Sequence, residues 1–153
     1  MAAGSDDADT SRRDEPHDSV YELFRRGSQL LEHGHNHQAL IPLGQAAQRS
    51  PESASIREAH GRALFHVQQY QEAAEEFRAV IDKEPTNDFA LFCLGRCLQQ
   101  LGRHTEARPP LTLAATLQPA RTDYRLYLER ARKATGPDAP NPYRRREEPD
   151  EDD

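Results

Sequence analysis

The chain has 153 residues, with 35 % hydrophobic and 30 % charged residues and a formal net charge of −6, a balance that allows one ordinary domain flanked by polar segments and no more. No stretch reaches the roughly 18 consecutive apolar residues of a membrane helix. Residues 1–19 and 135–153 each carry a net −4, which leaves +2 on residues 20–134, too little basic charge for a nucleic-acid surface.

Taken in chain order, residues 1–19 are acidic and lack an apolar core segment, so they are not a secretory signal and are expected to be disordered. From residue 20 a pattern recurs every 34 residues: Gly27, Gly61 and Gly95; Ala39, Ala73 and Ala107; Pro51, Pro85 and Pro119. It divides the chain into units 20–53, 54–87 and 88–121. Leu91, Leu94, Leu98 and Leu101 step by three and four, which is one face of a helix, and Phe77, Val80 and Ile81 do the same on a following helix. Glycine inside a helix costs roughly 1 kcal/mol against alanine; close approach to Ala39, Ala73 and Ala107 is the expected reason for three of them. Gly34 and Gly102 predict turns within units. Pro42 and Pro109-Pro110 fall early in second helices, which are expected to start late or bend there. Residues 122–134 begin a fourth copy, with Asp123 as the expected cap and Tyr124, Leu128 and Ala131 on a core face. Glu129 stands where each full unit has glycine, so this is a terminal capping helix. Gly136-Pro137 and Pro140-Asn141-Pro142 end the fold, and residues 135–153 are expected to be a second disordered acidic tail.

The three copies read Leu23, Arg26-Gly27, Leu30, Ala39, Leu43, Pro51; Arg57, His60-Gly61, Leu64, Ala73, Phe77, Pro85; and Leu91, Leu94-Gly95, Leu98, Ala107, Leu111, Pro119. This resembles the tetratricopeptide-repeat family over residues 20–121, with small residues and prolines matching throughout and Arg26, Arg57 and His60 departing from the apolar pattern. The resemblance implies an all-α fold, a right-handed α-solenoid of three helix-turn-helix repeats plus the capping helix. It also implies a concave wall made by the first helix of each repeat, where a partner protein segment binds. The residues facing it would be Tyr21, Phe24, Ser28 and Leu31; Ser55, Glu58, Arg62 and Phe65; Phe89, Phe92, Arg96 and Gln99. Of these, Tyr21, Phe24, Arg62, Phe65, Phe89, Phe92 and Arg96 are the candidate site, because aromatic residues and arginine are enriched at binding hot spots. Relatives that grip chaperone tails use a clamp of lysine, asparagine and arginine, and here those places hold Phe24, Ser28, Ala59, Phe89 and Cys93.

Glu147–Asp153 is acidic and tethered to mildly basic repeats, so even weak affinity would let it occupy the groove and screen Arg62 and Arg96. Cys93 and Cys97 share a helix face and make no disulfide framework, which suits a reduced, cytoplasmic setting. Cys97 is expected to be a buried, inert thiol. The chain has no phosphate-cradling glycine loop, no H-E-x-x-H and no G-x-S-x-G. Glu75 and Glu76 are expected on an exposed helix face, and nothing pairs a nucleophile with a base. The reading is therefore a monomeric, non-enzymatic adaptor with a protein or peptide partner and no cofactor, nucleic acid or membrane. One alternative is a structural subunit that self-associates or docks permanently through its repeats. Another is a metal-binding protein built on His33, His35 and His37.

Overall fold

A computed structural model describes residues 19–136. The acidic tails therefore lie outside the described residues except for Ser19, Thr135 and Gly136. The described residues form seven helices: α1 (Val20–Glu32), α2 (Asn36–Arg49), α3 (Ala54–His66), α4 (Tyr70–Lys83), α5 (Asp88–Gln100), α6 (His104–Leu117) and α7 (Thr122–Ala134). None is long and apolar enough to cross a membrane.

Each boundary has a local cause. Ser19 and Glu22 form a reciprocal capping box on α1, Ser53 Oγ accepts from the Ile56 amide on α3, and Asn87 Oδ1 accepts from the Ala90 amide at 3.0 Å on α5. These caps satisfy amides that the first turn would otherwise leave unpaired. The fourth cap position is Arg121, which makes no side-chain cap bond. Asp123 is not the cap: it lies inside α7 and accepts from Arg121 Nε at 3.0 Å and Nη2 at 2.8 Å. The second helices end at Ser50, Glu84 and Gln118, with φ near −130, −127 and −129°. Each precedes a proline, whose ring disfavours the helical conformation in the residue before it.

Inside each repeat the chain turns through a left-handed residue. Gly34 and Gly102 have φ of +76 and +75°, and Gln68 takes the same place at φ 65°. At all three sites the i+5 amide bonds back across the helix end, His35 to Leu30, Gln69 to Leu64 and Arg103 to Leu98, which satisfies carbonyls the helix leaves open.

The prolines do not delay their helices. α2 and α6 begin at Asn36 and His104, in step with α4 at Tyr70, and run through Pro42 and Pro109-Pro110. The carbonyls deprived of a donor belong to Gln38, Thr105 and Glu106, all exposed residues, so solvent can meet them.

The glycines face large residues rather than the alanines. A Cβ on Gly27 would lie 2.4 Å from Leu43 Cγ, one on Gly95 2.4 Å from Leu111 Cγ, and one on Gly61 3.0 Å from Phe77 Cζ. Leu43, Phe77 and Leu111 are fully buried, as are Ala39, Ala73 and Ala107. The missing side chain makes room for a bulky one at native packing density.

Neighbouring repeats stack so that α1 approaches α3, α3 approaches α5 and α5 approaches α7, while α2, α4 and α6 do not approach one another. The first helices therefore form the tighter, inner wall and the second helices fan outward. Leu64, Phe77, Leu94, Leu98, Leu111 and Leu128 belong to one core cluster running from the second repeat into α7. Tyr124, Leu128 and Ala131 are buried, as α7's pattern requires.

Glu76 is not on an exposed face. Its side chain is 15 % exposed, with Oε1 3.0 Å from Arg57 Nη1 and Oε2 3.3 Å from His60 Nδ1. Arg57 and His60 are two of the residues that break the apolar pattern, and Glu76 occupies the place held by Pro42 and Pro110 in the other repeats. Relative to the third repeat, where these places hold Leu91, Leu94 and Pro110, the second replaces an apolar contact with a polar one.

Candidate partner-binding groove

The inner wall carries each candidate residue on the expected helix. Tyr21 on α1 is 72 % exposed. Phe24 is half-buried and packs against the core of the first repeat. On α3, Arg62 is exposed and Phe65 half-buried; on α5, Phe89, Phe92 and Arg96 are half-buried.

Three of the seven meet at one centre. The Arg96 guanidinium lies 3.8 Å from the centroid of the Tyr127 ring and 5.6 Å from that of Phe65. Phe92 stacks on Tyr124 at 4.5 Å and meets Tyr127 edge-on at 5.5 Å. Phe65 in turn meets Tyr70 edge-on at 5.2 Å. A guanidinium over a ring face is attracted by the ring quadrupole, which holds the Arg96 side chain in place. Tyr21, Phe24 and Phe89 have no ring contact with this centre.

Tyr127 lies one place outside the inner-wall register, in line with Ala59 and Cys93 of the earlier repeats, so periodicity gives no signal for it. In α7 the 34-residue spacing does reach Arg130, which follows Arg62 and Arg96 in series. Its guanidinium lies 4.8 Å from the Tyr127 ring centroid. Gln99 fixes the junction of α5 and α7 by donating from Nε2 to the Tyr127 carbonyl at 2.8 Å. Tyr124 donates from its hydroxyl to Asp88 Oδ2 at 2.8 Å. Burial, followed by that bond, pushes the Tyr124 phenol above its ordinary range.

The thiols are shielded. Burial is the main reason that Cys93 is pushed up, with Cys97 and Glu58 adding to it and Arg62 and Arg96 opposing it. Burial likewise pushes Cys97 up to about 12. Among the described residues no three His, Cys, Asp or Glu side chains are grouped to hold a metal. His33 Nδ1 donates to the Gln29 carbonyl at 2.7 Å, and His33, His35 and His37 form no such group.

Comparison with known proteins agrees with the helix count and stacking. No curated protein sequence matches the chain. In structure it is similar to MamA MSR-1 C2, with a TM-score of 0.71, 22 % identity and coverage of 77 % of this chain and 68 % of that one. A second MamA crystal structure gives 0.74 and 19 %, covering 84 and 74 %. The first TPR of Spaghetti (RPAP3), bound to HSP90 peptide SRMEEVD, gives 0.71 and 15 %, covering 76 and 92 %. At these identities the likeness shows the fold alone. A family model described as Tetratricopeptide repeat matches residues 24–88 and again 58–122, more than half of the sequence, and with three helical pairs stacked in its 34-residue register the chain belongs to the tetratricopeptide-repeat family.

Proposed function

We propose that the chain is a non-catalytic adaptor that holds a segment of a partner protein on the inner wall formed by α1, α3, α5 and α7. The observation that carries this is the concentration on that wall of aromatic and arginine side chains, among them Tyr21 at 72 % exposure and the exposed Arg62 and Arg130. Such residues dominate binding energy where they become desolvated. Phe89 and Tyr21 supply apolar contact, while Arg62 and Arg96 set the register of the segment. The Spaghetti domain bound to a peptide supports the reading by fold, although the clamp places differ here. Two protonated, shielded thiols suit a reducing, cytoplasmic setting.

The test is a pull-down from the source cell with the native chain, with Phe89→Ala/Arg62→Glu and with the outer-face variant Glu75→Lys, each checked for helix content. A partner lost with the inner-wall variant and kept with the outer-face one is the expected result. A partner kept by both would move the working surface off the inner wall.

A second reading, self-association through the ends of the stack, has its own observation. Among the described residues the exposed large apolar side chains are Tyr21, Ile41, Leu113 and Leu126, all on the first helix pair or on α6 and α7. Light scattering at high concentration separates the two: a monomer disposes of end-to-end assembly, and a stable oligomer dissolved by Ile41→Asp or Leu126→Asp supports it.

A further inference from the structure

Arg62, Arg96 and Arg130 occupy one position on three successive inner helices, α3, α5 and α7, at intervals of 34 residues. The equivalent position on α1 is Ser28, so the series is weighted toward the C-terminal end of the wall. Arg96 and Arg130 share the ring of Tyr127. Among the described residues none of the three is ion-paired, although Arg57, Arg121 and Arg132 all have carboxylate partners. Glu58 is on the same wall, with Oε2 3.4 Å from Asn87 Nδ2. Three guanidinium groups in line and not ion-paired, with Glu58 one turn from Arg62 as the opposing charge, form a surface for a row of carboxylates.

Chain length and charge identify the occupant. Inner helices packed about 8–10 Å apart put the first and third arginines roughly 20 Å from each other. Residues 147–153, Glu-Glu-Pro-Asp-Glu-Asp-Asp, hold six acids and no base, and seven extended residues span up to about 25 Å. Arg130 lies one turn before the end of α7 at Ala134. Residues 137–146 can reach up to about 35 Å from there, enough to carry the acidic run back along the wall. The basic residues of that linker, Arg144–Arg146, fall before the run and not within it.

We infer that Glu147–Asp153 of the same chain lies across Arg62, Arg96 and Arg130 and occupies the inner wall in the free protein. The inference rests on the reading of that wall as the binding surface. It adds that a partner segment must displace an internal acidic competitor, present at millimolar effective concentration, and so must itself bring acidic groups to the arginines.

The experiment measures anisotropy of a fluorescein-labelled peptide Glu-Glu-Pro-Asp-Glu-Asp-Asp with three full-length proteins at low salt. They are the native chain, a tail-neutral chain with its six acids at 147–153 changed to Gln or Asn, and the tail-neutral chain carrying Arg62→Ser and Arg130→Ser, as in Ser28. Circular dichroism checks each fold. The tail-neutral chain is expected to bind the peptide about ten-fold tighter than the native chain, consistent with a millimolar internal competitor, and the arginine variant to lose that gain. Equal binding to native and tail-neutral chains overturns the internal contact while leaving the partner groove intact, since the pull-down tests the latter separately. No binding to the tail-neutral chain, or undiminished binding to the arginine variant, overturns the acidic site itself.

Discussion

At the scale of single residues, the repeat register shows which side chains are out of place. Gln68 adopts the left-handed conformation that glycine supplies in the other two repeats, at a cost of roughly 1–2 kcal/mol for a residue with a Cβ. Gln68→Gly should therefore raise stability by about 1 kcal/mol after allowance for the freer unfolded chain. A urea midpoint that stays or falls would contradict this. The helix glycines should respond in the opposite sense. Gly27→Ala and Gly95→Ala drive a methyl onto the branch carbon of a fully buried leucine and should each lose about 1–3 kcal/mol. Gly61→Ala meets the Phe77 ring at 3.0–3.2 Å, a milder overlap, and should lose less, since the roughly 1 kcal/mol of helix propensity gained at each of the three sites offsets more of it. The thiols give a pH prediction. Cys97 titrates near 9.0 in the ordinary case and at about 12 in the fold, so the unfolded chain gives up its proton first. Its contribution is fully present below about pH 9 and declines as pH rises toward about 12. Urea titrations at pH 8 and 10.5 should show lower stability at the higher pH, by less in Cys97→Ala than in the native chain.

At the scale of elements, the second repeat is the informative one. Glu76, on the outer helix α4, faces Arg57 and His60 on α3, where the third repeat uses Leu91, Leu94 and Pro110. Removing one member leaves the others half-buried without a partner. Glu76→Ala should destabilise by about 1–2 kcal/mol, and the combination Arg57→Leu, His60→Leu, Glu76→Ala should recover most of the loss by rebuilding an apolar contact. Thermal unfolding of the three proteins decides this; an inert Glu76→Ala would show that the contacts add nothing. α7 has a different character, with a buried face of Tyr124, Leu128 and Ala131 and an exposed Glu129 where full repeats have glycine. Since no helix packs on that side among the described residues, the glycine has no work to do there.

At the scale of the whole molecule, stacking brings α7 into the wall that the repeats form. Tyr127 links the ends of Arg96 and Arg130, and Phe92 rests on Tyr124 and Tyr127. Tyr127→Ala should therefore weaken partner binding by about ten-fold or more while costing less stability than Tyr124→Ala, whose ring is fully buried. Isothermal titration with the captured partner, alongside urea unfolding, separates the two effects. Partner affinity unchanged in Tyr127→Ala would remove this centre from the binding surface.

Much of this was legible in the sequence because repetition is itself a structural statement. The 34-residue spacing of glycine, alanine and proline set the number of helices, their pairing and their ends, since Ser50, Glu84 and Gln118 leave the helix before the recurring prolines and a helix stripe must be buried against its neighbour. The inner-wall register came from the resemblance to the tetratricopeptide-repeat family, because spacing alone does not say which helix face is concave. Contacts between positions far apart in sequence needed the tertiary structure. It set Gly27, Gly61 and Gly95 against Leu43, Phe77 and Leu111 rather than against the alanines. It half-buried Glu76 beside Arg57, and it put Tyr127 over Arg96. Periodicity says which face of a helix a side chain occupies, whereas only the packing of one helix on another decides which atom it meets.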